Sequence, residues 1–297
     1  IALQKVRKLV ESDKVHILLG PDTAAEGYAV RDYVDSARVP NIFSTVSADD
    51  ITQRRRTPYI IRTGWTSSQP SHPFGEWVYD RLGYRTVVTL SYDYAFGWEV
   101  VAGFVRTFTE KGGRVVRKIW IPVGTQDYAP YLAQIPPNVD AVFAIFSGGD
   151  AIRFMKQYRE FGLKDRIPLI GGGALTDESV LKSMGEEALG VITPLQYSAA
   201  LQTPEMRRFI SDYWARYRDI PGYRAESAFT AGMLMKRAIE SIGGEVENRE
   251  ALLRALRSVP ELPAPRGPVR LDSYGNPVQN IYIRKVEKKD GELWNTV

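Results

Sequence analysis

Five short stretches carry the side chains that could hold a small molecule, and each follows an apolar run that reads as a buried strand. Gly20-Pro21-Asp22-Thr23-Ala24-Ala25 enters a helical pattern. Small residues there let main-chain N–H groups approach a ligand, and a helix N-terminus favours an anion. The same residues also suit a plain helix cap by Asp22 or Thr23. Ser44-Thr45-Val46-Ser47-Ala48-Asp49 gathers three hydroxyls on one loop. Ser91-Tyr92-Asp93-Tyr94-Ala95-Phe96-Gly97-Trp98 places four aromatics within seven residues, a composition that suits a wall against a ligand. Ser147-Gly148-Gly149-Asp150 and the stretch Gly171 to Asp177 complete the set.

None of these stretches offers a nucleophile beside a base. The chain has no cysteine, which excludes disulfides, thiolate catalysis and cysteine-bound metal. Its two histidines, His16 and His72, lie far apart in sequence, too little for a zinc site or a histidine-based triad. Asp93, Asp150 and Asp177 could act as acids or bases, but each also suits a turn or a helix cap. Gly171-Gly172-Gly173 lacks the spacing of a phosphate loop, and no dinucleotide fingerprint occurs. No cofactor, metal or catalytic residue is expected. Net charge is +4 with scattered arginines, and the densest run, Arg54-Arg55-Arg56, reads as a solvated turn. A nucleic-acid binder would show a clustered basic stripe, so no nucleic-acid partner is expected.

The elements that must position these loops alternate. Helical periodicity predicts helices over 1–12, 24–38, 68–82, 96–111, 128–134, 149–161, 179–184, 204–217, 225–242 and 248–257. Apolar runs predict strands at 15–19, 41–44, 59–62, 86–90, 115–120, 141–146, 168–170 and 191–193. Repeated strand–helix units imply an α/β fold with doubly wound parallel sheets, and ligands then sit beyond the carboxyl ends of the strands. The end breaks the rule: 269–272, a turn at 274–276 and 278–286 read as hairpin-like edge strands. Residues 260–265, rich in proline, read as a surface loop. At 297 residues the chain makes two domains or one large one. No apolar stretch of about 18 residues or more is present to span a membrane. Residues 1–10 read as an amphipathic helix, not a signal peptide, so the chain is expected to begin inside a domain, with leader sequence removed or not shown.

The order and spacing of several segments resemble a known family. They are Leu18-Leu19-Gly20-Pro21, Val39-Pro40-Asn41-Ile42, Tyr59-Ile60-Ile61-Arg62-Thr63, Ser91 to Gly97, and Val139-Asp140-Ala141-Val142. Later ones are Thr203-Pro204 to Tyr217, Ala228-Phe229-Thr230-Ala231-Gly232, and Gly267 to Asp272 followed by Gly275-Asn276. The chain resembles the leucine/isoleucine/valine-binding proteins, the type I periplasmic binding proteins that serve ATP-driven importers. The resemblance implies two α/β lobes joined by three hinge crossovers, near 64–68, 196–198 and 276–279. Lobe I would be 1–65 plus 199–276, and lobe II 66–196 plus 277–297. The family's first strand–helix–strand unit has no counterpart here, so the sequence shown is expected to be incomplete. The terminal strands would complete sheets begun earlier.

The resemblance also implies a role. A monomer on the periplasmic or outer face of the cytoplasmic membrane captures a small amino acid or related carboxylate between two closing lobes. It then presents the solute to ABC permease subunits. The implied ligand contacts are Thr23, Ala24, Ala25, Val46 and Ser47 from lobe I, with N–H and hydroxyl groups holding a carboxylate. Lobe II would supply Tyr94, Phe96, Phe146 and Ser147. Amino-acid binders place an acid after the strand at 168–170 to meet the ligand ammonium; here Gly173 stands there, and Asp177 could substitute only if the loop bends differently. A buried ammonium without a partner is costly. The missing acid and the aromatic loop therefore fit a carboxylate without an amine, aromatic acids included. Two other classes remain open: a ligand-sensing domain of a receptor or amide-type regulator, and an enzyme on a flavodoxin-like scaffold.

Overall fold

The computed structural model describes residues 1–297. Helix α1 (Ala2–Arg7) leads through one wider turn to β1 (Leu18–Leu19), α2 (Ala24–Ala37), β2 (Asn41–Phe43) and β3 (Ile60–Arg62). Then come α3 (Ser71–Trp77), β4 (Thr86–Tyr92), α4 (Ala95–Glu110), β5 (Arg114–Ile121), α5 (Ala129–Leu132) and β6 (Ala141–Ile145). They are followed by α6 (Gly148–Glu160), β7 (Leu169–Gly171), α7 (Glu178–Leu181) and β8 (Ile192–Leu195). Helices α8 (Pro204–Tyr217), α9 (Tyr223–Ser241) and α10 (Arg249–Ser258) precede β9 (Leu262–Ala264), β10 (Gly267–Leu271) and β11 (Pro277–Val278). Strands β12 (Tyr282–Lys289) and β13 (Glu292–Thr296) end the chain. No helix is long and apolar enough to cross a membrane.

The chain divides into two units. Unit 1 is 1–66, 203–207 and 224–280; unit 2 is 67–202, 208–223 and 281–297. Residues 208–223 are bonded to the segment 177–197: Lys182 pairs with Asp219 at 2.6 Å, the Tyr223 N–H donates to Asp177, and the Tyr197 hydroxyl donates to the Pro221 carbonyl.

Unit 1 holds a parallel sheet, β1-β2-β3, and an antiparallel one, β11-β10-β9. Strand β1 is only two residues long, against the five read from the run 15–19. Helices α9 and α10 bury Ala231, Leu234, Ala238, Leu252 and Leu256 in one core with Ile42 and Ile61. Within 260–265, expected as a surface loop, residues 262–264 form a strand: Leu262 and Ala264 are buried in β9, with Pro263 outward between them. Proline lacks an N–H and is tolerated in such an edge strand.

Unit 2 is a seven-stranded sheet in the order β13-β12-β8-β7-β6-β4-β5. Strands β5, β4, β6, β7 and β8 run parallel, and β12 joins β8 antiparallel with Tyr282 opposite Leu195. The terminal strands thus complete a sheet begun long before, as expected. Strands β4 and β6 are buried almost throughout, which explains their continuous apolar sequences. Strand β4 runs two residues past the expected end at 90, so Ser91 and Tyr92 lie in the sheet and not in the following loop.

The order β5-β4-β6 has a consequence for function. From β4 the chain steps one way to β5, then returns to place β6 on the other side. The boundary between β4 and β6 is a topological switch point, the place where ligands bind in open sheets of this kind.

Candidate functional site

In unit 1, the loops after β1 and β2 come together. The Thr45 hydroxyl donates to the Pro21 carbonyl at 3.2 Å. Helix α2 packs so close to the second loop that a Cβ on Gly27 would meet Val46 Cγ1 at 2.5 Å. Both Val46 and Ser47 are buried. The loop is held from below by Arg62, which is itself fully buried. Its Nη1 donates to the Val46 carbonyl, and its Nη2 to the Ala48 carbonyl at 2.9 Å and to Thr52 Oγ1 at 3.2 Å. One guanidinium therefore fixes the backbone on both sides of Ser47.

Thr23 is the N-cap of α2, and its hydroxyl is engaged. Thr23 Oγ1 accepts from the Glu26 N–H at 3.3 Å and donates to Glu26 Oε2 at 3.0 Å. The Thr23 N–H donates to the same carboxylate at 3.0 Å, which holds the Glu26 carboxyl below its usual range. This reciprocal cap places a negative charge where the resemblance put the ligand carboxylate. The Thr23 side chain is thus the capping group of α2. Ala24 is buried beside it, and Ala25 is exposed.

In unit 2, the candidates cluster at the switch point around Tyr92. The Tyr92 ring lies 5.5 Å from Tyr94 and 5.2 Å from Phe146, and Tyr94 lies 6.2 Å from Phe96. The Tyr92 hydroxyl accepts from the Ser147 N–H at 3.1 Å and donates to Asp150 Oδ2 at 3.0 Å, joining the ends of β4 and β6. Burial pushes this phenol well above its ordinary range, so it stays a neutral brace. Asp150 also accepts from the Gly124 N–H and pairs with Arg153 at 2.7 Å. It is a structural carboxylate, already committed.

Tyr94 and Phe96 are half-buried, each packed on the unit 2 core. Phe146 differs from expectation. Its ring is wholly inside that core, 5.3 Å from Tyr128 and 4.6 Å from Phe154, because it continues the inward face of an apolar strand. It buttresses Tyr92 and offers no face to a ligand. Ser147 and Tyr94 are the N-caps of α6 and α4, and neither helix has a side-chain cap. Trp98 turns out of the group, donating its indole N–H to Asp93 at 3.0 Å.

Gly173 follows β7 and is buried. A Cβ there would sit 2.5 Å from Leu195 Cδ1 and 2.6 Å from the Pro194 carbonyl oxygen, so no side chain fits without moving backbone. Asp177 does not replace the missing acid. Its carboxylate accepts from the Tyr223 N–H at 3.2 Å and from the Ser179 hydroxyl, and it lies against Gly222. Beneath Gly173 lies Arg284, fully buried. Its Nη2 donates to the Gly173 carbonyl at 2.8 Å and to Thr193 Oγ1 at 3.1 Å; its Nη1 donates to the Tyr197 carbonyl at 2.9 Å and faces Glu178 at 3.5 Å. Burial raises the Glu178 carboxyl above its usual range, and Arg284 opposes that rise.

Sequence reasoning missed the buried arginines Arg62 and Arg284. The available signal was their position inside apolar strands, in Ile60-Ile61-Arg62 and Tyr282-Ile283-Arg284. No group of three acidic or histidine side chains is placed to hold a metal ion. Unit 1 thus holds two hydroxyl- and amide-bearing loops side by side, and unit 2 an aromatic cluster at its switch point.

Comparison with known proteins agrees. The model of the periplasmic binding protein family matches residues 1–292. The Leu/Ile/Val-binding protein homolog 6 of Brucella melitensis is 33% identical over 300 residues, covering 97% of this chain and 75% of that one. An ABC transporter substrate-binding protein from Sphaerobacter thermophilus superposes with a TM-score of 0.94 at 39% identity, over 100% of this chain and 82% of that one. A solute-binding protein of an ABC transporter from Rhodopseudomonas palustris BisB5, solved in complex with 3,4-dihydroxybenzoic acid, gives a TM-score of 0.94 at 36% identity, over 99% and 81%. Such proteins bind small molecules outside the cytoplasm and interact with membrane permeases. The chain belongs to the periplasmic binding protein family and has the fold and function of an ABC transporter substrate-binding protein.

Proposed function

We propose that this chain captures a small carboxylate, with aromatic acids as its preferred class, and delivers it as a monomer to the permease of an importer from the outer side of the cytoplasmic membrane. The observation that carries the class is the pair Tyr94 and Phe96, half-buried beside Tyr92 at the switch point of unit 2. Flat apolar rings of this kind bury a planar ligand well. The relative with 3,4-dihydroxybenzoic acid, at 36% identity, supports the same class. Within unit 2 the candidate contact groups are Tyr94, Phe96, Ser147 and the Gly173 backbone; within unit 1 they are Val46, Ser47 and the backbone of Ala24 and Ala25.

The test is a thermal-shift panel of benzoate, 4-hydroxybenzoate, 3,4-dihydroxybenzoate, leucine and isoleucine. A bound ligand at a hundredfold excess over its Kd adds about 2.7 kcal/mol to stability. Aromatic acids should raise Tm by several degrees and the aliphatic amino acids should not. A response confined to leucine and isoleucine would overturn the class. Phe96→Ala should weaken the best aromatic acid about tenfold or more, the worth of a lost ring contact with its burial.

A further inference from the structure

We infer that Arg284 is a specificity-determining residue that makes this protein refuse ligands bearing an ammonium group; the inference rests on the carboxylate reading above and extends it. A desolvated ammonium must find acceptors, and a loop at a strand's carboxyl end can supply them from a carboxylate or from backbone carbonyls. At Gly173 it can supply neither. The space for any side chain is filled by Leu195 and the Pro194 carbonyl. The Gly173 carbonyl is turned inward, onto Arg284 Nη2 at 2.8 Å. The neighbouring carboxylate of Asp177 is taken up by the Tyr223 N–H and the Ser179 hydroxyl.

Arg284 is built to hold this position. Thr193 Oγ1 at 3.1 Å and the Tyr197 carbonyl at 2.9 Å fix its guanidinium, and a fixed planar fork holds its partner's direction as well as its distance. Glu178 stands farther off, at 3.5 Å, and its Oε1 is shared with the Ala199 N–H at 3.3 Å. The clamp on Gly173 is the tighter interaction. Releasing it would free a carbonyl to turn toward a ligand.

The experiment uses matched ligand pairs that differ only by the α-amine: phenylacetate with phenylglycine, and 4-methylpentanoate with leucine. Affinities are measured by calorimetry for the wild type, Arg284→Lys, and the double variant Arg284→Met with Glu178→Gln, which removes the buried pair together. The wild type should favour the amine-free member by about a hundredfold, and the double variant should lose about tenfold of that ratio by gaining affinity for the amine. Arg284→Lys, which keeps a donor beneath Gly173, should retain most of it. If the double variant does not fold, Thr193→Val, which loosens the guanidinium, should lower the ratio in the same direction. An unchanged ratio in a folded variant, or a wild type indifferent to the amine, overturns the role of Arg284. The aromatic reading fails separately, if the wild type binds no aromatic acid yet still separates 4-methylpentanoate from leucine.

Discussion

Thr23 and Glu26 close a reciprocal cap at the start of α2, and the same few atoms lie where a ligand carboxylate was expected. Thr23→Ala should therefore cost about 1 kcal/mol of stability, the usual worth of a lost N-cap. Solute affinity should change by less than about threefold, as expected for a side chain engaged elsewhere. The acid limb is equally specific. Glu26 titrates lower in the folded chain than when unfolded, because the Thr23 N–H favours its charged form. Its contribution is present above the unfolded value and is lost as pH falls through the folded one. A pH series of Tm for wild type and Glu26→Ala should show the gap close below about pH 4, the ordinary carboxylate range. A gap that widens on acidification would contradict this. The sequence Thr23-Ala24-Ala25-Glu26 carries the cap pattern openly, so this feature was legible. Phe146 was not. The last residue of an apolar run can face the core or a ligand, and alternation decides it only once the strand's end is known.

Among the elements, order and type were read well, and ends less so. Continuous apolar runs made β4 and β6 plain, but Ser91 and Tyr92 continue β4 because their backbone finds partners in β5 and β6 that no local signal announces. Residues 260–265 misled through composition: the prolines suggest a loop, yet Leu262 and Ala264 alternate inward as a strand must. The long-range anchors were invisible in the sequence. In unit 1, Arg266, almost wholly buried, pairs with buried Glu226, donates to the Thr63 carbonyl, and donates to Gln279 Oε1 at 2.8 Å. Gln279 in turn donates to the Gly64 carbonyl at 2.8 Å. One cation thus ties β3's exit, the start of α9 and the segment after β11. Arg266→Met should lower stability by about 3–5 kcal/mol, because Glu226 would be left charged and unpaired. Adding Glu226→Gln should recover part of that loss. Urea unfolding of the three variants checks the order, and an Arg266→Met midpoint equal to the wild type's would refute it.

On the scale of the molecule, each unit has its own core and its own sheets, and the chain passes from one unit to the other several times. Alternating strand and helix signals gave the α/β class, and the late strands gave the return to an earlier sheet; β12 against β8 is that return. The ion pair and hydrogen bonds that tie 208–223 to the segment 177–197 join distant parts of the chain and have no local signal. Function was legible through the family resemblance carried by the ordered segments, and through polar, glycine-rich and aromatic loops beyond strand ends with no reactive pair among them. The most direct test is calorimetric titration of the whole chain with 3,4-dihydroxybenzoate at two temperatures. One molecule should bind per chain with a negative heat-capacity change, the mark of an apolar ring leaving water. No saturable heat at either temperature, while leucine or isoleucine binds one per chain, would contradict the account.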